Sequence, residues 1–495
     1  MKIIRKNGIL LHISSLPSEY GIGDLGNEAY NFVDNISGYG IKIWQILPLG
    51  PLGPGNSPYQ AYSAYAGDPL YISPMLLKEW GLLSDEDLAD VPHFNRKEVE
   101  FDIVRDWKNN IFENAWSNFQ SVSDVSLKHE YKSFLNEHGW WLDDYALYTA
   151  CKNENEGSDW TKWEEGLKNR KPEILNLTRI ELNESYELER FKQFMFFRQW
   201  FKLKKYANEK GISIFGDIPL YVSHDSSDVW GNQNIFYLDE KGEPEIVGGV
   251  PPDYFCEDGQ LWGNPVFNWD EMEKNTFQWW IARLYFNFHM FDIVRIDHFR
   301  GLESFWAIPK SAESAKEGRW MPAKGFMVLK IMQSRLGNLP IVAEDLGIIT
   351  EEVEKLRDHF NLPGMRVLQF AFTSDETNEH LPHNITHRNF VYTGTHDNNT
   401  IIGWWNELPK DEKKKALDYL KLFKGSISER MIEWAWSSNA EISIVPMQDV
   451  MKLGDVARMN IPGIANGNWK WRYTKNQLRK SDLEFIGEIN KKYNR

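Results

Sequence analysis

The chain has 495 residues and a formal charge of −15, from 56 Lys and Arg against 71 Asp and Glu, with only two cysteines. That length suits one large α/β barrel with insertions, and the acidic balance, without any long basic run, argues against nucleic acid or anionic membrane as partners. Cys151 and Cys256 stand in no C-x-x-C pair, and no stretch approaches the ~20 apolar residues of a membrane span, so a soluble, cytoplasmic protein is expected.

The basic and then apolar N-terminus, "MKIIRKNGILLHISSLPSE", reads as a first strand. Its apolar run of about four residues falls short of the roughly 7–15 of a secretory core. Further β-branched runs follow, giving strands at 9–13, 41–47, 212–218, 291–297, 341–345, 365–370, 389–395 and 441–447. Helical patterns lie between most of them, among them "NEAYNFVDNIS", "TFQWWIARLYFNFHM", "AKGFMVLKIMQSRLG" and "TEEVEKLRDHF". Eight strands alternating with helices predict a (β/α)8 TIM barrel spanning 1–495 as a single catalytic domain. Two gaps exceed a simple crossover. Residues about 75–205 read as an inserted helical subdomain whose last helix feeds the third strand, and residues about 222–275, rich in Gly, Pro and aromatics, as an inserted loop subdomain over the barrel mouth.

"YGIGDLG" contains Gly21-x-Gly23-x-x-Gly26, the spacing of a dinucleotide-binding turn. Its context is wrong: such a turn follows its strand directly and is answered by an acid about 20 residues later. Here Pro17 and its neighbours intervene, and the second strand runs into "QILPLG" without an acid. The glycines read instead as a loop at the barrel mouth, and no cofactor is expected.

In such a barrel the chemistry sits at the C-terminal ends of the strands. Those ends carry Asp217, Arg295 with Asp297, Glu344 with Asp345, His396 with Asp397, and Asp449. Arg295 and Asp297 are two apart and share a face. Glu344 and Asp345 point to opposite faces, and alternation alone does not choose between them. Converging carboxylates with an arginine suit glycosidic-bond chemistry, in which an ionised carboxylate attacks or stabilises the anomeric carbon and another, with a raised pKa, protonates the leaving oxygen. A metal site is the rival reading, but only His298 and His396 are well placed for one, with His12 and His224 less so, and no metal is expected. The 22 Trp, 20 Tyr and 28 Phe, several beside Gly and polar residues as in "GQLWGNP", "GNWKWRY" and "TIIGWWN", suggest surfaces that grip sugar rings.

Through "SSLPSEYGIGDLG", "SPYQAYSAYAGDPLYI", "GDIPLYVSHDSSDVW", "GVPPDYFCEDGQLWGNPVFNW", "VRIDHFRGLESFW", "AEDLG", "TGTHDNNTIIGWW" and "ARMNIPG", the chain closely resembles the 4-α-glucanotransferases, or amylomaltases, of glycoside hydrolase family 77. The resemblance implies a retaining transfer between α-1,4-glucans such as maltooligosaccharides or starch and glycogen fragments. Asp297 would be the nucleophile, Glu344 the acid/base and Asp397 the transition-state stabiliser. It further implies that Tyr59, Asp217, Arg295 and His396 hold the scissile sugar and that Tyr254, Phe255 and Trp262 line the glucan groove. An α-glucan hydrolase and a non-catalytic glucan-binding barrel are the alternatives. The presence of all three acids weighs against the second.

Overall fold

A computed structural model describes residues 5–252 and 257–495. Eight parallel strands form the central sheet: β1 (Lys6–Leu10), β2 (Ile43–Gln45), β3 (Ser213–Ile218), β4 (Ile293–Ile296), β5 (Ile341–Ala343), β6 (Gly364–Val367), β7 (Asn389–Tyr392) and β8 (Ile442–Pro446). Their hydrogen-bonded order, β6-β7-β8-β1-β2-β3-β4-β5, is chain order wrapped around a ring. The seam between β5 and β6 is closed by the Ala343 N–H donating to Pro363 O at 2.9 Å and by Asp345. This buried carboxylate accepts from the Met365 N–H at 2.6 Å and pairs with Arg357 at 2.5 Å and Arg366 at 3.3 Å. A Cβ on Gly364 would lie 2.2 Å from Asp345 Oδ2, so the strand opposite this acid begins with the one residue that lets it approach. Each strand is a short apolar run buried on both faces, as a parallel sheet wrapped in helices demands.

Helices at Asn27–Gly38, Gln278–Met290, Gly325–Leu336 and Glu351–His359 occupy the predicted crossovers. Between β2 and β3 lie long helices at Phe101–Ser121, Val125–Glu154 and Asn183–Glu209, the last leading into β3. None of the helices among the described residues is long and apolar enough to cross a membrane.

The region between β3 and β4 holds more order than its composition suggests. Strands Ile246–Val250 and Gln260–Pro265 join Ser304–Pro309 and Arg319–Pro322 in a four-stranded antiparallel sheet beside the barrel mouth. Their sequences, IVGGV, QLWGNP, SFWAIP and RWMP, carry Gly and Pro and lack a clean alternation, so cross-strand pairing rather than local propensity makes them strands. The tryptophans divide: Trp44, Trp160, Trp200, Trp230, Trp280 and Trp436 are fully buried core, whereas Trp262 is half-buried on the inserted sheet. Much of the tryptophan content thus goes to the core, because indole rings also supply the bulk that fills a large barrel's helix layer.

The Gly21 loop packs as a tight structural turn. Gly21 has φ +78°, and a Cβ on Gly23 would lie 2.0 Å from Ile13 O. The loop is pressed onto the turn that follows β1 and leads into helix Asn27–Gly38.

Candidate active site

The strand ends converge on one rim. Arg295, on β4, reaches sideways to β3, where its Nη1 donates to both oxygens of Asp217 at 2.9 and 2.7 Å. Its Nη2 donates to Asp297 Oδ1 at 2.6 Å. One guanidinium thus holds two carboxylates, which suits its planar array of donors. The environments of the two acids differ. The Asp217 side chain is fully buried and takes a further hydrogen bond from the Tyr59 hydroxyl at 2.7 Å, whereas the Asp297 side chain is 31% exposed toward the opening. Asp217 thus anchors the arginine, and Asp297 is free to meet a ligand.

Glu344 follows β5 directly and is separated from its neighbour Asp345 by the strand pleat. Asp345 faces the seam; Glu344 turns to the rim. Its Oε2 accepts from the His298 N–H at 2.8 Å and its Oε1 from the Leu346 N–H at 2.9 Å. His298 presents that amide by adopting a left-handed backbone conformation, φ +53°, at the short turn after Asp297. Burial pushes the Glu344 pKa up to about 8, with the charge of Asp297 adding to the rise and Arg295 opposing it. Two carboxyl groups at adjacent strand ends are thereby given different partners, Asp297 a guanidinium and Glu344 two backbone amides.

On the far side of the rim, after β7, the His396 ring stacks on Tyr59 with centroids 5.1 Å apart and planes at 14°. Trp469 closes the cluster at 5.8 Å from Tyr59 and 5.9 Å from His396. His396 Nε2 lies 3.3 Å from Asp397 Oδ2. The other oxygen of Asp397 accepts from the Asn460 amide at 2.6 Å, and its backbone carbonyl accepts from Arg458 Nη2 at 2.7 Å. Asn460 and Arg458 were given no role by reading strand ends. They lie in an irregular segment after β8, and the only signal was their place in "ARMNIPG". The Asn460 N–H also donates to His396 O at 3.1 Å, so this segment is laced to the β7 loop.

The inserted sheet supplies the outer wall. Trp262 stands on strand Gln260–Pro265 with its indole 4.8 Å from the His298 ring at 83° and 6.2 Å from Tyr221 at 63°, and its Nε1 donates to Gln260 Oε1 at 3.0 Å. Burial lowers the His298 pKa to about 4, so a neutral imidazole separates Trp262 from the carboxylates. Tyr254 and Phe255, assigned to the same groove, lie outside the described residues.

Asp449 sits apart from this rim. It is 1% exposed, and both of its oxygens are engaged, by the Thr393 hydroxyl at 3.0 Å and the Ile401 N–H at 2.7 Å. Of the histidines weighed for a metal, His12 Nε2 is 2.8 Å from the Tyr71 hydroxyl and His224 Nε2 is 2.8 Å from Gly242 O. Among the described residues, no three His, Cys, Asp or Glu side chains are grouped to hold a metal ion.

Residues 11–478 match the family model described as 4-alpha-glucanotransferase. The 4-alpha-glucanotransferase of Synechocystis is 46% identical, with 98% of this chain and 97% of that protein covered. That of Thermus thermophilus is 43% identical, with 97% and 96% covered. Among solved structures, amylomaltase from Streptococcus agalactiae in complex with acarbose superposes with a TM-score of 0.96 at 37% identity, covering 99% of each chain.

Proposed function

Because the chain belongs to glycoside hydrolase family 77, the 4-α-glucanotransferases, we propose that its rim carboxylates perform the transfer by double displacement at one anomeric carbon. The two carboxyl groups at neighbouring strand ends divide the labour. Glu344, held protonated at neutral pH by its desolvated position, gives its proton to the glycosidic oxygen as that bond breaks. Asp297, oriented by Arg295, attacks the anomeric carbon from the opposite face and forms a glycosyl ester. Glu344, now a carboxylate, takes the proton from the 4-hydroxyl of an incoming glucan, whose oxygen displaces Asp297. Two inversions leave the α-configuration unchanged.

Asp397 completes the set. With one oxygen fixed by Asn460, it grips ring hydroxyls whose acidity rises as the oxocarbenium ion develops. Tyr59 and His396 offer a stacked face to the same sugar, Asp217 and Arg295 hold its floor, and no cofactor is required. The substrates are α-1,4-glucans: maltooligosaccharides and the breakdown fragments of starch or glycogen. The observation that carries this reading is the contrast between Asp297, bonded to the Arg295 guanidinium, and Glu344, whose burial raises its pKa so that it can carry the proton the leaving oxygen needs.

Transfer prevails over hydrolysis when a sugar rather than water occupies the acceptor side. Trp262, on the inserted sheet, provides an apolar surface there that favours a ring over loosely held water. Incubation with maltotriose tests the proposal: glucose plus a ladder of longer glucans supports it, and only shorter products would indicate a hydrolase.

A further inference from the structure

We infer that Gln448 and Asp449, adjacent residues of the single helical turn Met447–Val450 that follows β8, are positioning residues for Asp397. The inference rests on the transition-state role proposed for Asp397 and extends it to residues whose hydrogen bonds lie behind the rim.

The segment bearing His396 and Asp397 runs from the end of β7 to the start of helix Ile401–Glu407. Asp449 holds both ends of it. Its Oδ2 takes the Thr393 hydroxyl, one residue beyond β7, and its Oδ1 takes the Ile401 N–H, the first of the helix. Thr393 and Ile401 are both fully buried, so neither end of the segment has water as a substitute partner. Between those pins the segment is stiffened by Asn398 Oδ1, which accepts from the Thr395 N–H and hydroxyl at 2.9 Å each, and by Gln369 Nε2 donating to Asn399 O at 2.8 Å.

The opposite jaw is held by the neighbouring residue. Gln448 Nε2 donates to Ala457 O at 3.3 Å, immediately before Arg458 and Asn460, the two residues that grip Asp397. The loop carrying Asp397 and the loop clamping it therefore share one support, a dipeptide set at the mouth of β8. An acid suits the first task, because both partners are donors and a carboxylate only accepts. Its burial costs free energy that a mere spacer would not require, and it pushes the Asp449 pKa up to about 7. Its hydrogen bonds go to the ends of the segment and not to the rim, so its effect must pass through what that segment carries, Asp397 first and His396 beside it.

A double-mutant cycle separates positioning from general structure. Turnover is measured with an α-glucosyl fluoride donor, whose leaving group needs little acid assistance, so that slow variants remain measurable. Since misplacing a reacting group by about 1 Å costs roughly 10²-fold, Asp449→Ala should lower kcat by about 10- to 100-fold with little change in donor KM. In an Asp397→Ala background the same change should cost less than about twofold. Should Asp449→Ala not fold, Gln448→Ala and the isosteric Asp449→Asn serve instead, each giving a smaller loss that again vanishes without Asp397. Equal losses in both backgrounds, or no loss in the first, overturn the inference. If Asp397→Ala itself leaves kcat unchanged, the role proposed for Asp397 fails, and the inference fails with it for a separately visible reason.

Discussion

The two sides of the rim are built from different materials. On the β3–β4 side, a buried guanidinium bonds three carboxylate oxygens, and the acids it holds are fixed by charge. On the β7–β8 side, Asp397 is held by an amide, by a backbone carbonyl contact to Arg458 and by a loop pinned from behind. The difference follows from the proposed roles. A nucleophile has to keep its charge and its aim, which an arginine supplies at once. A stabiliser must remain a strong acceptor for sugar hydroxyls, and a cation bonded to its carboxylate would compete with them; Arg458 takes the backbone carbonyl instead.

That contrast orders the expected effects. Asp297→Asn keeps the shape and the Arg295 contact but removes the nucleophile, and kcat should fall by roughly 10⁴-fold or more, while glucan binding measured by calorimetry persists. Arg295→Lys loses the fork that spans Asp217 and Asp297 and should cost about 10²–10³-fold in kcat, the scale of one lost preorganised donor. On the β7–β8 side, Asn460→Ala should cost only about 10- to 100-fold, because Asp397 stays in place but loses its aim. An Asn460 effect as large as that of Arg295 would erase the distinction between the sides.

The pH dependence sharpens it further. The folded pKa of Glu344 lies at about 8, above the ordinary glutamic-acid range, so the proton needed for the first step is present below that value and lost as pH rises through it. With maltotriose as donor, kcat/KM should fall about tenfold per pH unit above that point. The fall should disappear with a fluoride donor under conditions where formation of the glycosyl ester limits the rate. The smallest change is expected at the wall: Trp262→Ala should raise hydrolysis relative to transfer by about three- to tenfold, in line with about 0.5–1.5 kcal/mol for a lost aromatic stack. An unchanged product ratio would move the control of water elsewhere in the groove.

How far these sites could be read beforehand varied with the range of the contacts involved. The eight barrel strands announced themselves because each is a local run of apolar, often β-branched residues, and Arg295 and Asp297 could be placed on one face by the pleat alone. The pleat could not rank Glu344 against Asp345. That choice depends on Arg357, Arg366 and Gly364, which come from later in the chain and claim Asp345 for the barrel seam. The antiparallel sheet stayed hidden for a similar reason: IVGGV becomes a strand through partners on both sides, and the edge strand RWMP through SFWAIP alone. Asp449 looked like one more rim acid because it stands beside a strand end. Its buried bonds to Thr393 and Ile401 reveal a support behind the rim, a distinction that no spacing in the sequence encodes.

The central claim is a covalent glycosyl-enzyme on Asp297, and it is tested most directly by trapping that species. In a Glu344→Gln variant given α-glucosyl fluoride without acceptor, the fluoride leaves unaided while the missing base slows the second step. Proteolysis and mass spectrometry should then find a hexosyl adduct on the peptide containing Asp297. An adduct on another residue, or steady turnover with no adduct on any residue, would contradict the account.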